Sequence, residues 1–236
     1  MLFFMSELYL IRHGQASFGS ENYDQLSELG IRQSNLLAEH LQLVGFLPDA
    51  IYSGPLERHK STAALMYEVF CSHGIGLAEL EIVEEFREYN AKAIVMAFLE
   101  RNPGFFSDSG PVHDQSGVFW RMFRKAMLAW VEGALDSSVP ETWEDLKSRV
   151  ASAIKRMMSI HEGRKTVVVF TSGGAISASL AISLNLSGAA AMNLNWQIAN
   201  ASVTRYSFDK KKFVLSGFNS IAHLRLHRDS SLITWW

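Results

Sequence analysis

Arg12 and His13 stand side by side at the end of the apolar run Leu8-Tyr9-Leu10-Ile11, with Gly14 and Gln15 directly behind them. A short apolar β-type run bounded by glycine reads as a buried strand, and reactive groups of open α/β sheets gather where such strands end. Arginine brings a permanent cation whose forked donors match phosphate oxygens. Histidine brings a ring nitrogen able to act as a nucleophile near neutral pH. Side by side, the two suit chemistry on a phosphoryl group. A core strand ended by a helix-capping histidine accounts for the same tripeptide, so other residues have to decide.

Residues 49–53 form a second β-prone run, which breaks at Ser53-Gly54-Pro55. Pro55 is expected in the first turn of a helix, where its missing N–H would be unpaired in any case. Arg58 then lies one turn in, near the positive end of that helix, where an anion is favoured. Two arginines aimed at one anion supply charge-assisted bonds that a single one cannot. The plainer reading is a solvated Arg58 among Glu57, His59 and Lys60.

With Arg12-His13-Gly14 and then Ser53-Gly54-Pro55-Leu56-Glu57-Arg58 and Ser61-Thr62-Ala63 in this order, the chain resembles the histidine phosphatase superfamily, also described as phosphoglycerate mutase-like. Phe86-Arg87-Glu88 is similar to the family's acid-bearing loop. Thr166–Thr171 running into Ser172-Gly173-Gly174 is similar to its last motif, and Asn200–Thr204 with Asn219–Leu224 completes the likeness. The resemblance implies a phosphomonoesterase. His13 would attack phosphorus to form a phosphohistidine, and Arg12 and Arg58 would hold the phosphoryl oxygens. Glu88 would protonate the leaving oxygen and then activate water, with Glu85 and Glu84 as competing candidates for the acid. Gln15, Ser17, Ser172 and Gly173 are the further expected contacts to substrate, although Gln15 and Ser17 equally suit loop stabilisation. The substrate class is a small phosphorylated metabolite or a phosphopeptide, and the scheme needs no cofactor and no metal.

One position departs from the family pattern, which places a second histidine directly before the Gly-Gly where this chain has Ser172. A hydroxyl donates one hydrogen bond without a positive charge, so it should serve a phosphoryl group less well. Serine ahead of a helix is also a favoured N-cap. Two alternatives therefore stay beside the phosphatase: a phosphoglycerate mutase-type transferase, and a weakly active or inactive member that binds a phosphorylated ligand.

Composition narrows the classes. The chain has 236 residues, 48% of them hydrophobic and 19% charged, with a net charge of −2. That length suits one α/β domain over 1–236. No basic stripe marks a nucleic-acid partner, no window is long enough to span a membrane, and a homodimer remains open. Cys71 is the single cysteine, which excludes an intrachain disulfide, and a cytoplasmic location is expected. The apolar Leu2-Phe3-Phe4 lacks the basic lead and length of a signal peptide. His223 and His227 have the spacing of helix-borne metal ligands without a third partner. No Gly-x-Gly-x-x-Gly follows the first strand, and Ser172 lacks a Gly-x-Ser-x-Gly elbow.

Strands and helices alternate along the chain. Strands are expected at 7–12, 49–53, 81–83 and 165–171, and a hairpin at 202–208 and 213–218. Helices are expected from Ser27, from Pro55 to Phe70, from a capping box at Thr142–Asp145, and over 175–185. The pattern implies a doubly wound, mostly parallel sheet flanked by helices. Residues of about 90–140 interrupt the alternation with Asn102-Pro103-Gly104, Ser109-Gly110-Pro111 and an aromatic and methionine stripe from Phe119 to Trp130. They read as a helical cap that sets specificity.

Overall fold

In the computed structural model, β1 (Ser6–Arg12) and β4 (Thr166–Thr171) lie at the centre of a six-stranded sheet among the described residues. Those residues are 5–17, 24–105 and 115–235; the expectations for Leu2-Phe3-Phe4 and Ser109-Gly110-Pro111 fall outside them. With β2 (Ala50–Ser53), β3 (Leu80–Ile82), β5 (Val203–Phe208) and β6 (Phe213–Ser220), the strand order is β3-β2-β4-β1-β5-β6. The first four run parallel, while β5 and β6 form the expected antiparallel hairpin beside β1.

The central strands explain their own composition. Both faces of a parallel sheet are covered, so its strands are apolar throughout rather than alternating. In β4, Val167 and Val169 face one core while Val168 and Phe170 face the other, all of them buried. Helices α1 (Glu28–Leu43) and α2 (Glu57–Ser72) cover the second face with Leu37, Leu41, Ala63, Met66 and Phe70. Helices α5 (Trp143–Ile160) and α6 (Gly173–Leu184) cover the first with Leu146, Val150, Ile154 and Ile176.

Several local signals act as read. Ser27 caps α1 by accepting the Gly30 N–H, and Thr142 and Asp145 form the reciprocal capping box of α5. Two do not. Helix α2 begins at Glu57 with Leu56 at its cap, so Pro55 precedes the helix and Arg58 is already in the first turn. The reason is a distant cap: Asp24 accepts the Glu57 N–H at 2.9 Å. The helical spacing of Leu29, Leu36, Leu37, Leu41 and Val44 predicts an apolar stripe on α1, but Val44 lies at the C-cap and is exposed.

In the interrupting segment, α3 (Ala91–Arg101) and α4 (Gln115–Val131) pack on each other, and α4 also meets α7 (Gly188–Asn195). Met122, Met127 and Trp130 join the main core, whereas Phe119 and Trp120 face outward and stack around Phe123, which touches Trp196. The stripe is core on one side only, as an amphipathic helix at a surface requires.

Candidate active site

The end of β1 is held from three sides. The His13 N–H donates to the Thr171 carbonyl at 2.9 Å, and the His13 carbonyl accepts from the Ala201 amide at 3.1 Å and Asn200 Nδ2 at 3.3 Å. Asn200 is tied to the C-terminal segment through Thr234, and Thr234 also binds the buried Gln33. Gln33 Oε1 in turn accepts the Gln15 N–H at 2.8 Å. Glycine is obligatory behind the histidine, because a Cβ on Gly14 would lie 2.3 Å from the Gly30 carbonyl oxygen.

His13 is 4% exposed. Its Nδ1 lies 2.6 Å from the Gly14 carbonyl oxygen, which can only accept, so the proton sits on Nδ1. Nε2 is left with its lone pair and accepts from Arg58 Nε at 3.1 Å. Burial, followed by the charges of Arg58 and Arg12, holds the imidazole well below its ordinary pKa. The ring is therefore neutral, with one nitrogen fixed as donor and the other presented as base or nucleophile.

Arg58 reaches His13 because α2 starts beneath it. Its Nη1 pairs with Asp24 Oδ1 at 2.6 Å, so one carboxylate both caps α2 and aims the guanidinium. Arg12 donates through Nη1 to the Ile198 carbonyl. The loop that carries Ile198 is pinned by Asn219, whose Oδ1 accepts the Ala199 N–H at 2.8 Å and whose Nδ2 donates to Gln197. A Cβ built on Gly173 would lie 3.9 Å from Arg12 Nε, which puts the start of α6 beside the same cation. His13, Arg12, Arg58 and the Ser172-Gly173 turn thus share one edge of the sheet.

Glu88 follows a short 3₁₀ turn, Glu84–Phe86, held by Thr171 Oγ1 on the Phe86 carbonyl at 2.8 Å and by Arg149 on the Arg87 carbonyl at 2.8 Å. Its carboxylate accepts the Tyr89 N–H at 3.0 Å and the Gly174 N–H at 3.2 Å, at the N terminus of α6. Glu85 is instead paired with Arg156 at 2.6 Å, and Glu84 is exposed. Glu88 is the carboxylate of the three that meets the Ser172–Gly174 turn.

Ser172 occupies the N-cap position but does not cap. Its hydroxyl lies 2.5 Å from His59 Nε2, and Glu88 takes the α6 amide in its place. The Gln15 side-chain oxygen accepts the Ser27 hydroxyl at 2.9 Å, and the Ser17 amide bonds the Gln25 carbonyl. His223 packs against His40, their rings 6.0 Å apart, and no metal-holding cluster of His, Cys, Asp or Glu occurs among the described residues. Asp24, His59 and Arg149 escaped the sequence reading. Their partners lie 34, 113 and 62 residues away, beyond any local pattern.

Two expectations follow from these contacts. A Cβ on Gly174 would sit 2.0 Å from Glu88 Oε1 and 2.4 Å from Tyr89 Cδ1, so Gly174→Ala should push the carboxylate and the tyrosine ring away. A folded Gly174→Ala protein should lose roughly 10²-fold in turnover of alkyl phosphates; full turnover would show that the Glu88 placement is dispensable. The second concerns acid. His13, His59 and His223 are all held below the ordinary histidine value, chiefly by burial, His223 down to about 4. The unfolded chain protonates these groups near pH 6.5 and so binds more protons than the folded one below it. Their stabilising contribution is complete above about pH 6.5 and is lost as the pH falls toward 4, by up to about 1.4 kcal/mol per pH unit per histidine. Urea midpoints measured from pH 7.5 to 4.5 should fall across this window; a flat profile would contradict the buried neutral rings.

The family model of the histidine phosphatase superfamily (branch 1) matches residues 8–101 and 112–221. Among solved structures, phosphoglycerate mutase from Bacillus anthracis is 17% identical at a TM-score of 0.65, over 95% of this chain and 97% of the other. Phosphoserine phosphatase from Entamoeba histolytica, in complex with 3-phosphoglyceric acid, is 22% identical at 0.61, over 93% and 100%. A mycobacterial glucosyl-3-phosphoglycerate phosphatase, in complex with inorganic phosphate, is 25% identical at 0.64, over 92% and 99%. No curated protein sequence matches the chain.

Proposed function

Since the chain belongs to the histidine phosphatase superfamily, we propose that it is a phosphomonoesterase working through a phosphohistidine on His13, with a small phosphorylated metabolite or a phosphopeptide as substrate. The observation that carries this reading is the His13 ring: neutral, clamped at Nδ1 by Gly14, with Nε2 turned to the Arg58 guanidinium. A phosphoryl group entering there takes over the Arg58 donor and meets Arg12 from the other side. Both arginines then balance the charge on its oxygens, which is the larger part of phosphoryl-transfer catalysis.

The His13 Nε2–P bond forms as the P–O ester bond breaks, and the leaving oxygen takes its proton from the Glu88 carboxyl. The phosphoimidazole keeps its Nδ1 proton on the Gly14 carbonyl, which offsets the positive charge gained by the ring. Water then attacks phosphorus and gives its proton to the Glu88 carboxylate, and the P–N bond breaks to free phosphate. The resemblance to a phosphatase solved with inorganic phosphate supports hydrolysis as the fate of the phosphoryl group.

The test is a panel of phosphomonoesters assayed with and without a diphosphorylated primer. Release of inorganic phosphate without the primer is expected. Primer-dependent isomerisation in place of release would make the chain a mutase, and binding without turnover would leave it a phospho-ligand receptor.

A further inference from the structure

We propose that His59, acting through the Ser172 hydroxyl, sets a hydrogen-bond donor on the phosphoryl group as it transfers, so that α2 supplies a second imidazole to the site. The inference rests on the phosphatase reading and adds to it a positioning residue.

Placement comes first. Arg12 of β1 and Thr171 of β4 are register partners, and the Thr171 carbonyl holds the His13 amide at 2.9 Å. Ser172 is the next residue, at the same sheet edge as His13 and directly before the Gly173 that adjoins Arg12. Its hydroxyl is not spent on capping α6, because Glu88 accepts the Gly174 amide. It faces His59 Nε2 at 2.5 Å instead. His59 comes one residue after Arg58 on α2, and its ring centroid is 5.6 Å from that of His13. The first turn of α2 therefore brings a cation and an imidazole to the same place.

Packing does not account for His59. The residue is fully buried, where a polar ring costs free energy unless its nitrogens are matched. A Cβ on Gly54 would lie 2.4 Å from its Nδ1, so the chain must also keep a glycine there. Nδ1 lies against the Gly54 backbone without a hydrogen bond of normal geometry. The relay takes the proton on Nε2, the nitrogen that faces Ser172. His59 then donates to Ser172 Oγ, and the serine O–H is left to point at a phosphoryl oxygen. No proton changes hands, and each bond in such a chain polarises and strengthens the next. The serine that replaces an imidazole in sequence is thus backed by an imidazole in space.

The experiment is a cycle of His59→Ala, Ser172→Ala and the double variant, each checked for folding by its melting curve. Each single variant should lose about 10–100-fold in kcat on an aryl phosphate, at the lower end of what one transition-state donor is worth, with KM changed little. The double variant should be no worse than either single one, because the two residues act as a unit. Affinity for orthovanadate, measured directly by calorimetry, should fall with kcat, while affinity for inorganic phosphate should change less. His59→Gln, which keeps a donor for Ser172, should recover most of the loss and serves if His59→Ala fails to fold. Wild-type kcat in folded single variants, losses that multiply in the double, or a covalent phosphate on Ser172 would each overturn the relay. Persistence of the His13 phosphoenzyme in the same variants shows that the phosphatase reading stands even then. A wild-type protein that neither turns over phosphomonoesters nor binds vanadate would overturn both.

Discussion

His13→Ala should abolish turnover of phosphomonoesters, on the order of 10⁴–10⁶-fold, while leaving a folded protein. The size follows from the ring's place in the proposed chemistry: without it there is no covalent intermediate, and water must attack phosphorus in one step. Folding should survive because the bonds that hold this stretch run through the backbone, from the His13 amide to Thr171 and from Ala201 and Asn200 to the His13 carbonyl. Without the ring, Arg58 keeps its Asp24 partner at 2.6 Å. A melting curve near that of the wild type with residual turnover within tenfold would exclude His13 as the nucleophile.

Glu88→Gln should lower kcat/KM for alkyl phosphates by about 10²–10⁴-fold and for aryl phosphates by less than about tenfold. Alkoxide leaving groups need the proton, whereas aryl oxides depart without it, and kcat/KM reports the steps through formation of the phosphoenzyme. Glutamine retains the size of the side chain and one acceptor oxygen for the two amides, Tyr89 and Gly174, that the carboxylate now serves. One amide loses its partner, at a cost of about 1 kcal/mol, which a melting curve separates from the kinetic effect. Equal losses on both substrate classes would remove Glu88 as the acid.

Much of the architecture is legible in the sequence because it rests on period and punctuation. The unbroken Val167-Val168-Val169-Phe170 run announces a strand covered on both faces, and Arg12-His13 after an apolar run announces a sheet edge. Thr142 and Asp145 announce a helix start through a bond three residues long. Two misreadings share one cause, a distant partner taking over a local role. Serine favours the N-cap, yet Glu88 reaches Gly174 from 86 residues away and frees Ser172 for His59. Proline favours the first helical turn, yet Asp24 caps α2 at Glu57. His59 looked like one more polar residue between Arg58 and Lys60, since helix phase alone does not say which polar residue a neighbouring strand end will bury. The site residues of β1 and α2 were visible as types; the second layer that aims them was not.

The most direct test is a rapid acid-free quench of the wild-type enzyme with a ³²P-labelled phosphomonoester, followed by peptide mapping of the label. The structure turns the Nε2 lone pair of His13 to the Arg58 donor and commits Nδ1 to Gly14, so the account requires an acid-labile, base-stable phosphate on Nε2 of His13, formed and hydrolysed at rates that match turnover. Label on Nδ1, on another residue, or absent while phosphate is released would contradict it.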